Sequence, residues 1–173
     1  VVTLGTSARE MGLPLYRAAC EACARIGRRA VLLCGGPQNT PEALPPGVLA
    51  VDQAPHGLLM PRACAIVHHG GAGTQARALH SGRPSVIVPF GHDQNDNAWR
   101  AARAGSARVL RRSRATPARL AHALDVVLAH APTLAAAERL GKRLRAEDGA
   151  ATAAAEVEAL GTRGAAAPRS ARA

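Results

Sequence analysis

The chain has 173 residues, 47% of them hydrophobic, which suits one globular domain with a sizeable core. No stretch approaches the ~20 uninterrupted apolar residues of a membrane span, and no signal peptide is visible. The net charge of +10 comes almost wholly from arginine, but those arginines are scattered and aromatics make up only 2%, which argues against nucleic-acid binding on stacking platforms.

The chain opens on Val1-Val2-Thr3 with no methionine, directly in a strand pattern, as expected of a piece of a longer protein. "VVTL" (1–4) reads as a strand followed by the turn "GTSA", and "LPLYRAACEACARIG" (13–27) as a helix. "AVLLC" (30–34) and "VLAV" (48–51) read as strands on either side of a Pro- and Gly-rich loop. A short helical turn is expected at 57–62, a strand at "CAIV" (64–67) and a helix at "TQARALHS" (74–81). "SVIV" (85–88) is a strand, "QNDNAWRAARAG" (94–105) a helix and "ARVL" (107–110) a last strand. The pattern then turns wholly helical at 117–130, 133–147 and 149–160, before a tail (161–173) whose composition predicts disorder.

Apolar runs each followed by a helix predict an α/β domain: a parallel sheet of about six strands with helices on both faces, then C-terminal helices. Cys20 and Cys23 form a C-x-x-C, but inside a helix rather than at a strand-to-helix turn. Buried free thiols in a reducing compartment account for these two and for Cys34 and Cys64 better than zinc or disulfides do. No metal site is expected.

Parallel sheets bind ligands at the carboxyl ends of their strands. Four loops converge there: "GTSA", "DQAPH", "HHGGAGT" and "PFGHDQND". In "HHGGAGT", Gly70, Gly71 and Gly73 let the backbone approach a ligand, and a helix starting near Gly73-Thr74 aims free N–H groups at it. That is a phosphate site. Thr74 can cap the helix and donate its hydroxyl, and His69 or His68 can donate an N–H. The alternative is a tight strand-to-helix turn with an N-cap and one structural histidine. In "PFGHDQND", Asp93 and Gln94 suit the hydroxyls of a sugar, or Asp93 or Asn95 simply starts the next helix. Gly71-x-Gly73-x-x-Ala76, with Asp93 20 residues after Gly73, also satisfies a dinucleotide fingerprint, so an NAD(P)-binding oxidoreductase domain stays open. That fingerprint normally follows the first strand of its unit, and here three strands precede it.

The two polar loops carry a resemblance. "HHGGAGT…ALHSGRPSVIVPFGHDQNDNAWRAARAG" resembles the donor-binding, C-terminal half of inverting glycosyltransferases of the GT-B fold. The group contains UDP-glucuronosyl- and UDP-glucosyltransferases, sterol glucosyltransferases, and bacterial macrolide and rhamnosyl transferases. The likeness covers about residues 1–160 and is strongest over 51–105. It implies a hexosyltransferase fragment that binds a UDP- or dTDP-sugar and stabilises the leaving diphosphate, without metal or other cofactor.

By the resemblance, the diphosphate sits on His69, Gly71, Ala72, Gly73 and Thr74, with Thr6 and Ser7 near the distal phosphate. Gln53 and His56 lie at the base, and Asp93 and Gln94 hold the sugar. Position 53 is Gln where many relatives place tryptophan. Position 77 is Arg where many place a ribose-binding glutamate, so Arg77 pairs with a phosphate or points to solvent. No catalytic residue is expected in this chain. The base, and the small-molecule, lipid or sterol acceptor, belong to an N-terminal domain outside it. The expected location is cytoplasmic, or peripheral at a membrane where the acceptor is a lipid. A non-catalytic nucleotide-sugar-binding module is the other reading.

Overall fold

A computed structural model describes residues 1–6, 8 and 11–165. Six parallel strands form one sheet: β1 (Val2–Thr3), β2 (Ala30–Leu33), β3 (Val48–Val51), β4 (Ile66–His68), β5 (Ser85–Ile87) and β6 (Ala107–Val109). Their spatial order is β3-β2-β1-β4-β5-β6. The helices are α1 (Leu13–Arg25), α2 (His56–Leu59), α3 (Ala72–His80), α4 (Gln94–Arg103), α5 (Pro117–Ala129), α6 (Ala131–Arg145) and α7 (Gly149–Ala165). The α/β architecture is the one expected from alternating strand and helix patterns.

Strand side chains alternate between two buried faces. Val67 and Val86 point to one face, where they join Val2, Leu32, Leu15 and Tyr16 of α1, and Leu120, Leu124 and Val127 of α5. Ile66 points to the other face and meets Met60 and Ala78, while Ile87 meets Ala98 and Ala101 of α4. Each buried aliphatic side chain contributes about 1.5–3 kcal/mol. Helices α1 and α5 pack closely through small residues, among them Ala19, Ala22, Ala121 and Ala123. Tyr16 is fully buried and donates its Oη–H to the Leu33 carbonyl at 2.6 Å, so its hydroxyl brings no unpaired donor into the core.

Helix α1 follows β1 on one face and α3 follows β4 on the other. Because β1 and β4 are adjacent, their outgoing loops part and leave a crevice between them.

Three expectations shift. Helix α3 starts at Ala72 with Gly71 as its N-cap, so Thr74 is the third helical residue and caps nothing. Cys64 is exposed whereas Cys20, Cys23 and Cys34 are buried, because β4 starts only at Ile66 and Cys64 lies in the turn before it. Helix α7 runs to Ala165, past the expected end at 160, and the rest of the tail lies outside the described residues.

Candidate functional site

The crevice opens where Thr3 of β1 pairs with His68 of β4. On its β1 side lies a cleft of about 510 Å³, lined by Thr3, Gly5, Thr6, Gln53, His56 and Arg77 among others. Thr6 of the loop after β1 and Gln53 and His56 of the segment after β3 therefore come together. Ser7 lies outside the described residues. Burial, and secondarily the Arg77 charge, pushes His56 below the usual histidine range, so it faces the cleft as a neutral ring.

The turn after β4 forms the floor of the crevice. The first bond into the α3 ladder runs from the Gln75 N–H to the Gly71 carbonyl at 2.9 Å. The amides of Ala72, Gly73 and Thr74 precede it and find no acceptor within the helix. They lie at the positive end of the helix. A Cβ added at Gly73 would meet nothing within 4 Å, so no contact among the described residues requires glycine there. Gly73 is nevertheless the second helical residue, where glycine is less favourable than alanine by up to about 1 kcal/mol.

The two histidines divide sharply. His68 is fully buried on β4, and its Nδ1 accepts the Gly70 N–H at 3.1 Å. Burial, with a smaller contribution from His69, drives its pKa down to about 3, so it is a neutral brace behind the turn and does not donate to a ligand. His69 lies between Gly5 and Gly71. A Cβ at Gly5 would come within 2.8 Å of its Cε1, and one at Gly71 would overlap its Nε2. Its Nδ1 is buried without a partner among the described residues. Burial lowers its pKa, partly opposed by Asp93.

On the β5 side, Gln94 is buried, and its Oε1 accepts the N–H groups of Phe90 (2.8 Å) and Gly91 (3.2 Å). It staples its own loop, which leaves its Nε2 as the donor. Asp93 is exposed at the N-cap of α4 but makes no cap bond. Its Oδ2 instead accepts from Asn97 Nδ2 at 2.8 Å, and the same Nδ2 donates to the Gly70 carbonyl at 2.9 Å. Asn97 was missed in the sequence. Its only signal there is its place four residues after Asp93, on the same helix face. His92 is exposed and holds φ at +54°. Among the described residues, no group of three or more His, Cys, Asp or Glu side chains could hold a metal ion.

The chain and its fold match known proteins. Residues 30–160 fit the family "Erythromycin biosynthesis protein CIII-like, C-terminal domain", and the chain belongs to that family. The O-mycaminosyltylonolide 6-deoxyallosyltransferase of Streptomyces fradiae is 39% identical over 138 residues, covering 79% of this chain and 32% of that protein. The crystal structure of the kitacinnamycin glycosyltransferase superposes with a TM-score of 0.81 at 31% identity, over 91% of this chain and 41% of that one. The glycosyltransferase VinC, solved in complex with dTDP, superposes with a TM-score of 0.71 at 35% identity, over 84% of this chain and 37% of that one. The fold is thus the C-terminal half of a GT-B glycosyltransferase. The chain spans about a third to two fifths of the length of these relatives.

Proposed function

We propose that this chain binds a nucleoside-diphosphate sugar and stabilises the diphosphate as it leaves during inverting glycosyl transfer. The observation that carries this reading is Gly73: a helical glycine with open space over it, beside three unclaimed amides. An anion seated on those amides accounts for the glycine, because a Cβ there would stand in its way. The unpartnered His69 Nδ1 and the Thr74 hydroxyl support the same assignment. The base then extends toward Gln53 and His56, and the sugar toward Asp93 and the Gln94 amide.

In the reaction so assigned, a base takes the proton of the acceptor hydroxyl and the freed oxygen attacks the anomeric carbon. The bond from that carbon to the diphosphate oxygen breaks on the opposite side, and the electron pair leaves with the diphosphate. This chain's part is to receive that charge on preorganised donors. The base and the acceptor pocket are assigned to a second domain.

Calorimetric titration with dTDP, UDP and NAD tests the reading. We expect binding of at least one diphosphate and weaker or no binding of NAD. Tight NAD binding with no response to either diphosphate would overturn it. Adding donor, acceptor alcohols and the N-terminal half of a relative extends the test. Transfer by the mixture and not by the chain alone is expected, whereas turnover by the chain alone, abolished in His92→Ala, would put the base on this half.

A further inference from the structure

Among the described residues lining the cleft, one side chain is a full cation, and the phosphate turn does not use it. Arg77 stands three residues after Thr74 on α3, so the two share a helix face, and it borders the cleft beside Gly5, Thr6 and His56. Long side chains on a helix lean toward its N-terminus and cover the preceding turn. The Arg77 stem is therefore biased back toward Gly73 and Thr74, between the free amides on one side and His56 on the other. No ion pair among the described residues includes Arg77, although Asp52 lines the same cleft.

We propose that Arg77 is a donor-binding residue that sets its guanidinium on the phosphate nearest the nucleoside, adding a cation to a site otherwise built from neutral donors. The proposal rests on the nucleotide-sugar reading above. A guanidinium has donors only, and its planar fork matches two phosphate oxygens at once. The amides of Ala72, Gly73 and Thr74 serve the other phosphate, and His69 and His56 are neutral rings. Among the described residues, Arg77 is thus the one full cation lining the cleft, and its attraction for the ligand adds a short-range, salt-screened contribution to that of the +10 net charge.

The test is titration of dTDP and UDP into the whole chain, Arg77→Gln and Arg77→Lys, each at low and high salt. Arg77 is exposed, so each variant is expected to fold, and circular dichroism and the melting temperature of each variant check this. Arg77→Gln keeps hydrogen-bond donors but loses the charge. It is expected to weaken diphosphate binding about ten- to a hundredfold at low salt and to flatten the salt dependence. Arg77→Lys is expected to keep that dependence with a smaller loss. Binding by Arg77→Gln equal to that of the unaltered chain, or weaker binding with an unchanged salt dependence, overturns the proposal. The second result would mean that Arg77 donates to ribose or base. If the unaltered chain binds neither diphosphate, the nucleotide-sugar reading itself fails, which is a different outcome from equal binding by chain and variant.

Discussion

Asn97 and Gly70 are bonded across 27 residues of sequence: the Asn97 Nδ2 lies 2.9 Å from the Gly70 carbonyl oxygen. The same nitrogen holds Asp93 at 2.8 Å, and the Asn97 carbonyl accepts from Gln75 Nε2 at 2.9 Å. Asn97 therefore ties the turn after β4 to the loop after β5. Asn97→Ala leaves the buried Gly70 carbonyl without this donor and is expected to destabilise the chain by about 1–2 kcal/mol in urea unfolding. Asn97→Asp should be worse, because it sets a carboxylate against both that carbonyl and Asp93. A change in Asn97→Ala no larger than the ~0.5 kcal/mol of an ordinary surface substitution would show that the tie does not hold in solution.

Gly73 separates stability from binding. In the empty chain, Gly73→Ala adds a methyl group in open space and improves helix propensity. It should raise stability by about 0.5–1 kcal/mol. The same methyl group stands where the diphosphate is proposed to lie, so affinity for dTDP or UDP should fall at least ~10-fold, or about 1.4 kcal/mol. Calorimetric melting and titration on one preparation measure both. A gain in stability with unaltered affinity would move the anion away from α3.

Thr74 and Asp93 should divide the ligand between them. Thr74→Ala is expected to weaken nucleoside diphosphate and nucleotide sugar alike, by about 1–3 kcal/mol. Asp93→Ala should weaken only the sugar-bearing ligand, because a free diphosphate does not extend to the loop after β5. Equal losses of free diphosphate in the two variants would make Asp93 a structural residue.

The buried histidine predicts a direction of acid sensitivity. His68 has a folded-state pKa of about 3 against an ordinary value of 6.5, so in the range between them the unfolded chain binds more protons than the folded one. Its contribution is fully present above about pH 6.5 and is lost as pH falls toward 3, with a slope of at most ~1.4 kcal/mol per pH unit. His69 is shifted in the same direction. Urea unfolding between pH 7 and 4 should show stability falling with pH, and more shallowly in His68→Asn, which retains an acceptor for the Gly70 amide. Equal slopes in the two proteins would mean that His68 does not titrate on unfolding.

Most of the sheet was legible because each strand is a short apolar run bracketed by Gly, Pro or a helix pattern, and a parallel sheet buries both faces of such runs. The start of α3 was not. Ala72 stands between Gly71 and Gly73, both poor helix formers, and only the position of Gly71 against His69 shows that the first turn already includes Ala72 and Gly73. The roles of His68 and His69 were equally hidden. Both rings are buried, but adjacent residues at a strand end point to opposite sides, and which ring braces the turn from behind and which lies against Gly5 and Gly71 depends on the register of β4 against β1 and β5. Asn97 was passed over because a polar residue in the first turns of a helix usually faces water, and its partner at Gly70 is distant in sequence.

The order of the sheet has a consequence for how such a domain can diversify. The residues assigned to the nucleoside come from loops on the β1–β3 flank and those assigned to the sugar from the β5 flank, with β4 and its turn between them. A recombination joint within β4 would therefore exchange one recognition surface whole and leave the other intact. Chimaeras of two family members joined there should inherit their base from one parent and their sugar from the other, and the packing of His69 against Gly5 is the contact across the joint that must match for the hybrid to fold.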